Sequence, residues 1–365
     1  MDYFMPTRLY TGENAVSQHQ DALAALGTSC VIVTGKQVAQ VSGALDDVLR
    51  ALAAYDTSAM VWKDVTENPP VLSCMEAGRL AAENNVQFVL GIGGGSSLDA
   101  AKAVAVFAAN PQLDEEGFYA KKWDKKPLPI ALVGTTAGTG SEVTKVSVLT
   151  DSQRRKHSIH DDLLYAKVSF GDSRYIRSCP RNVTLSCGVD VLAHATESYF
   201  SRKADEISRA FATRAIRLAI EPLSVVSAGN ELSDELYRQL YEASILGGLA
   251  INTTGTCFPH NVGYYLTENY GVAHGFACAT FLPAMLASVR EADPAYSDAF
   301  CSEVGIEEGA YIRLIEGCLP AFDFDMTVDE IDEALPRWEN NGSVKNTRAD
   351  VTIEAIRNML VNMFA

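Results

Sequence analysis

From residue 28 to about residue 170, short runs rich in β-branched residues alternate with longer stretches in which apolar positions recur every three or four residues. Runs of the first kind fit buried strands, and stretches of the second kind fit amphipathic helices. The pattern predicts strands at Cys30–Thr34, Ala59–Lys63, Phe88–Leu90 and Leu128–Val133. Between them it predicts helices at Val41–Ala54, Val71–Asn84 and Ser96–Ala109, and Lys145–Leu149 and Tyr165–Phe170 read as further extended pieces. Strand and helix alternating at this interval imply a parallel sheet covered by helices. Past Pro180 the texture changes: Ile207, Phe211, Ile216, Ile220 and Leu223 follow helical spacing, and strand-length β-branched runs largely vanish. The expectation is an α/β domain over residues 1–180 and an all-helical domain over residues 181–365, with Ser178, Cys179, Pro180 and Arg181 interrupting the pattern between them.

Length agrees with two domains, because 365 residues exceed the roughly 250 at which single cores stop growing. A hydrophobic content of 47% with 21% charged residues lies in the globular range. The net charge of -16, with no cluster of Lys and Arg, argues against a nucleic-acid partner. The eight cysteines form no CxxC pair, and several stand inside apolar runs, which fits reduced buried thiols better than a disulfide framework. The N-terminal stretch lacks a basic segment followed by an apolar one, and no run reaches the ~20 apolar residues that span a bilayer. A cytoplasmic location without a membrane partner is expected.

Two loops carry candidate chemistry. Gly91-Ile92-Gly93-Gly94-Gly95-Ser96-Ser97 stands between a predicted strand and a predicted helix, where backbone N–H groups and a helix N-terminus favour an anion such as a pyrophosphate. Ser96 or Ser97 can equally cap the helix, with Asp99 in its first turn. The loop reads G-x-G-x-x-S and follows the third predicted strand, which disfavours a standard Rossmann enzyme. The second loop, Gly134 to Glu142, offers the hydroxyls of Thr135, Thr136, Thr139 and Ser141. Two such loops at successive strand ends point to a bound nucleotide, because ligands of open α/β sheets sit at the carboxyl ends of the strands.

The helical half carries a different chemistry. Asp190 and His194 are four residues apart and share one face of a helix. His260 and His274 lie downstream and complete a set of three imidazoles and one carboxylate. Such donors suit Fe(II), Zn, Mn or Co with a position left open for catalysis. An Asp/His pair at this spacing also fits a hydrogen bond on a helix surface. In favour of a metal, half of the six histidines fall in these two segments among small and apolar residues, whereas His19, His157 and His160 have polar neighbours and should face solvent.

The segments YFMPTRLYTGENA, GIGGGSSLDAAKAVAV, TTAGTGSEVTKVSVLTD, CGVDVLAHATESYFSRK and RADVTIEAIRNML, in this order, resemble the iron-containing (group III) alcohol dehydrogenase family over essentially the whole chain. The resemblance implies an α/β dinucleotide-binding domain with a parallel sheet, followed by a helical, dehydroquinate synthase-like domain holding the metal in the cleft between them. It implies Fe2+, with Zn2+ as the alternative, on Asp190, His194, His260 and His274. Pyrophosphate contacts then fall on Gly93, Gly94, Gly95 and Ser96, with Asp99 near the nicotinamide, and Asn68 and Lys156 line the cofactor cleft. Where the family's fuller pattern has a further histidine four residues after the third ligand, this chain has Tyr264, as a branch of the family does, so the proton-relay group is an open question. NAD-specific members tend to carry an aspartate where this chain has Gly35, followed by Lys36, so NADP is expected to be tolerated and preferred over NAD.

The implied reaction moves a hydride between a small primary alcohol or diol, or the aldehyde in reverse, and NAD(P). A glycerol-type polyol dehydrogenase and a dehydroquinate synthase-like lyase share the two-domain plan, but TTAGTGSEV and the DxxxH helix favour the alcohol dehydrogenase branch. A non-catalytic nucleotide sensor would have no need of four filled ligand positions. A homodimer or larger homo-oligomer is implied by the resemblance alone. The substrate is not legible, since Phe258, Tyr264, Tyr265 and Phe276 fit a core as well as a pocket wall.

Overall fold

The computed structural model describes residues 3–365. Two compact units make up the chain: Phe4–Pro180 with Ser233–Tyr241, and Arg181–Leu232 with Glu242–Ala365 and Tyr3.

In the first unit, β1 (Arg8–Thr11), β2 (Ser29–Thr34), β3 (Ser58–Trp62), β4 (Phe88–Gly93), β5 (Ile130–Gly134), β6 (Val146–Thr150), β7 (Lys156–His160) and β8 (Val168–Gly171) are the strands. Six form one sheet in the order β1-β8-β5-β4-β2-β3, every pair parallel, while β6 and β7 make a separate antiparallel hairpin. The inner strands β2, β4, β5 and β8 are buried at nearly every position because both faces of the sheet are covered there. Cys30, Ile32, Phe88 and Leu90 pack with Val48 and Leu52 of α1 (Ala44–Ala53). Val31, Val33, Val89 and Leu132 face the other way, against Val71 and Ala77 of α2 (Val71–Glu83) and Val104 of α3 (Gly95–Ala109).

This division has a topological consequence. The helix after β2 leaves toward one face and the helix after β4 toward the other, although β2 and β4 are neighbours. The carboxyl ends of these two strands therefore flank the switch point, where open α/β sheets leave a crevice for ligands.

Several elements differ from the sequence expectation. The helix expected over Val41–Ala54 is a single turn, Val38–Val41, followed by α1, because Gly43 between them adopts a left-handed φ of 80°. The strand expected from Leu128 begins at Ile130, after Pro129, whose nitrogen has no hydrogen to give a ladder. The strand expected from Tyr165 begins at Val168, where pairing with both β1 and β5 starts.

The second unit is helical. Its centre is α4 (Arg181–Tyr199), buried on nearly every side from Thr184 onward. Around it stand α5 (Glu206–Ser227), opened by an Asp205–Ser208 capping box, α6 (Asp234–Thr254), whose first turns belong to the other unit, α7 (Phe258–Tyr270) and the short α8 (His274–Ala279). All eight cysteines are free thiols. No described helix is long and apolar enough to cross a membrane.

Candidate metal centre and nucleotide loops

The residues expected around a nucleotide gather at the carboxyl ends of β2 to β5. A Cβ on Gly94 would lie 2.9 Å from Thr136 Oγ1, and one on Gly95 would lie 2.6 Å from Thr139 Cγ2, so the two loops are packed against each other and glycine is required at their seam. No side chain caps α3, and the N–H groups of Ser97 and Leu98 close its first turn onto Gly94 O. Ser96 Oγ accepts a 3.3 Å hydrogen bond from the backbone N–H of Asn68, itself in a left-handed conformation. The Asn68 carbonyl accepts one from Thr150 Oγ1 at 2.8 Å, and Thr150 pairs with Lys156 across the hairpin. Gly35 directly follows β2, and Val38 stands within van der Waals distance of Cβ positions built on both Gly35 and Gly93.

Asp99 and Ser141 have an internal role in this arrangement. Asp99 accepts from Ser141 Oγ at 2.5 Å and from Val148 N–H at 2.9 Å, which ties α3 to the second loop and to β6. Lys102, one turn on, is fully buried and donates to Ser141 O, Ser141 Oγ and Val146 O. Burial pushes its ammonium pKa down, while Asp99 pulls it back up. Thr135 is buried, its N–H donating to Gly93 O at 2.9 Å.

In the helical unit, α4 carries Asp190 and His194 on one face, α7 presents His260, and α8 presents His274. Asp190 Oδ1 lies 3.8 Å from a ring nitrogen of His194, 3.5 Å from His260 Nε2 and 3.8 Å from His274 Nε2. Donors bound about 2.1 Å from one ion at tetrahedral corners stand about 3.4 Å apart, so this spacing suits ligands with an ion among them. Asp190 Oδ1 and His260 Nε2 are buried without a hydrogen-bond partner. Two such orphaned atoms facing each other are costly unless a cation completes them. Burial alone would raise the Asp190 carboxyl, but the imidazoles of His194, His274 and His260 hold it well below the usual carboxylate range.

Close helix packing makes this convergence possible. A Cβ on Gly275 would lie 1.8 Å from Ser186 O and 2.9 Å from Asp190 Cβ, so only glycine lets α8 approach α4 closely enough to deliver His274. Tyr264, one turn beyond His260, is half-buried, with its ring centroid 5.5 Å from that of His274. Phe258 and Phe276 are core residues, whereas Tyr265 is half-buried against Trp338. Of the other histidines, His157 and His160 are exposed, but His19 is half-buried, stacked on Tyr10 at 3.8 Å.

Two residues join the cluster that the sequence reading did not single out. Glu197, fully buried, hydrogen-bonds His260 Nδ1 through Oε1, and its Oε2 accepts from the Cys257 N–H at 2.6 Å. Its charge partner among the described residues is an imidazole. The signal was present in the spacing: Glu197 follows Asp190 by seven and His194 by three, which is one helical face. The second is Cys278, whose Sγ lies with donor atoms of Asp190, His260 and His274 inside a group no more than 4.8 Å across.

Family models agree with both halves of this description. That of the iron-containing alcohol dehydrogenases matches residues 6–173, and that of the C-terminal part of the Fe-containing alcohol dehydrogenase family matches residues 184–310. Long-chain-alcohol dehydrogenase 1 of Geobacillus thermodenitrificans is 34% identical over 292 residues, covering 78% of this chain and 73% of its own. An iron-containing alcohol dehydrogenase from Thermotoga maritima superposes with a TM-score of 0.89 at 32% identity, over 98% of each chain. The sulfoacetaldehyde reductase of Bifidobacterium kashiwanohense, solved in complex with NAD+, gives 0.88 at 25% identity over 99% of this chain and 98% of that one.

Proposed function

The chain belongs to the iron-containing alcohol dehydrogenase family, and from that premise we propose that it reduces small aldehydes to primary alcohols, and runs the reverse reaction on such alcohols or diols, with NADP(H) preferred over NAD(H). The observation that carries the reading is the buried convergence of Asp190 and three imidazoles with Asp190 Oδ1 and His260 Nε2 left unpartnered. The donor set fits a divalent ion, Fe2+ or Zn2+, held by Asp190, His194, His260 and His274. A divalent ion held there would supply Lewis-acid polarisation of a substrate oxygen.

The chain's own side chains supply the rest. Glu197 Oε1 accepts a hydrogen bond from His260 Nδ1, which would hold the ring in the tautomer whose Nε2, on the side of Asp190, is free to bind an ion. Tyr264, whose ring centroid lies 5.5 Å from that of His274, would hand a proton to the reacting oxygen or take one from it. Gly93, Gly94, Gly95 and Ser96 offer backbone N–H groups and the α3 N-terminus to a pyrophosphate, with Thr135, Thr136 and Thr139 beside them and Asn68 and Lys156 along the rim. Asp99 and Ser141 support this surface from within. At Gly35 no carboxylate repels a 2′-phosphate, and Lys36 next to it is exposed. We further place the enzyme in the cytoplasm as a homodimer or larger homo-oligomer.

The test joins elemental analysis of anaerobically prepared protein to NADPH and NADH oxidation over a panel of short aldehydes. The wild type should carry about one divalent ion per chain and favour NADPH in kcat/KM, and His260→Ala should lose metal and turnover together. A His260→Ala protein with normal metal content and normal rate would remove the assignment.

A further inference from the structure

Tyr241 stands at the stem of the second nucleotide loop, where the chain leaves β5 at Gly134 and returns in the turn Ser141–Val143. It is buried, and it is the last residue of α6 that belongs to the α/β unit. Its hydroxyl donates to Glu142 Oε1 at 2.9 Å, and a Cβ on Gly134 would lie 2.4 Å from the same hydroxyl oxygen. One phenol therefore touches both ends of the loop. A Cβ on Gly171, the last residue of β8, would lie 2.6 Å from Tyr241 Cε1, so two strand-end glycines form the seat that the ring fills. Glu142 is buried too, and its backbone carbonyl accepts from Ser169 Oγ at 2.7 Å. Between the two ends lie Thr136 and Thr139, the side chains packed against Gly94 and Gly95.

A phenylalanine would fill this seat equally well, so what tyrosine adds is the bond to Glu142. Burial, and Glu142 beside it, push the Tyr241 phenol well above its ordinary value, so the hydroxyl keeps its proton and donates. Burial pushes the Glu142 carboxyl up, while its own backbone N–H, the Tyr241 hydroxyl and Lys102 pull it back. Without the hydroxyl a buried acceptor loses its donor and the loop loses the link between its ends. A loop pinned at both ends has less freedom left to lose when a ligand binds.

We propose that Tyr241 is a positioning residue for the cofactor: by joining Gly134 to Glu142 it holds the loop of residues 135–141 in the shape that a nicotinamide dinucleotide requires, acting through the loop and not by contact. The proposal rests on the nucleotide reading given above and deepens it.

Tyr241→Phe keeps the ring in its seat and removes only the bond. Wild type, Tyr241→Phe, Glu142→Leu and the double variant are compared for NADPH affinity by quenching of protein fluorescence, and for kcat at saturating NADPH, metal content and thermal unfolding. In Tyr241→Phe the dissociation constant for NADPH should rise about 10-fold, with kcat and metal content within about twofold of the wild type. Backbone amides of residues 135–141 should exchange faster in this variant without cofactor. The double variant should bind NADPH no more weakly than the weaker single variant, because both substitutions break the same bond. Wild-type affinity in Tyr241→Phe overturns the proposal, and so do additive losses in the double variant. Metal content and unfolding temperature that fall together with affinity assign Tyr241 to the fold alone and overturn it as well. Should Glu142→Leu not fold, the loop amides of Tyr241→Phe decide, and unchanged exchange there overturns the positioning role. Absence of NADPH binding by the wild type overturns the nucleotide reading, and the role of Tyr241 with it.

Discussion

At the scale of single residues, each proposed ligand must be held in place before any ion arrives. His260 is the best-supported of them: its ring is fixed at Nδ1 by Glu197, whose other oxygen anchors the backbone N–H of Cys257 at the start of the same helix. Glu197→Gln removes a charge-assisted acceptor and places an amide where three N–H groups converge, those of Cys257, the His260 backbone and the His260 ring, with only one oxygen to receive them. Metal affinity, measured by competition with a chromophoric chelator, should fall about 10- to 100-fold. Unchanged affinity would reduce Glu197 to a packing residue. The four residues proposed as ligands could be singled out in the sequence because histidine is scarce here and three of six fall in two segments. Glu197 and Cys278 were passed over, although Glu197 shares the helical face of Asp190, because a glutamate in a helix is ordinarily solvated and a cysteine in an apolar run is ordinarily core. What distinguishes them is the burial and orientation set by α4 and α8, which depend on how separate helices meet.

At the scale of elements, the site depends on close approaches that only glycine permits. Gly275→Ala puts a methyl group against Ser186 O and Asp190 Cβ, so α8 must retreat from α4 and carry His274 and Cys278 with it. The variant should lose about 1–3 kcal/mol of stability and most of its metal affinity, read together from denaturant unfolding and metal titration of the same preparation. A stable variant with native affinity would show that α8 reaches the ligands by another route. The buried strands and long helices were legible because their apolar periodicity is strong. Two strands were not: β1 is half-exposed at the sheet edge, with no apolar run, and β7 reads KHSIH. Both are held mainly by backbone pairing, β1 with β8 and β7 with β6, and a ladder of N–H and C=O groups leaves no mark in side-chain pattern.

At the scale of the whole molecule, the residues proposed for the metal and for the nucleotide belong to different parts of the chain: Asp190, His194, His260 and His274 to the helical unit, and the glycine and threonine loops to the α/β unit. A ligand that binds only the folded state stabilises it by about 2.7 kcal/mol at one hundred times its dissociation constant. Hydrogen exchange can localise that effect. Zinc added to metal-free protein should slow exchange in Arg181–Tyr199, Phe258–Tyr270 and His274–Ala279, by up to about 100-fold where amides exchange only through unfolding of their own unit. NADPH should act instead on the stretch from Gly93 through the first turns of Gly95–Ala109 and on the Thr135 to Ser141 loop. The NADPH effect should persist in His260→Ala, because the residues that would receive the pyrophosphate do not include the ligands of the ion. Protection by zinc confined to the Gly93 loop, or loss of the NADPH effect in His260→Ala, would contradict this division of labour. The net charge of -16 adds a direction to both experiments: screening by added salt should weaken divalent-ion binding and favour the anionic cofactor, so the two protection patterns should respond to ionic strength with opposite sign.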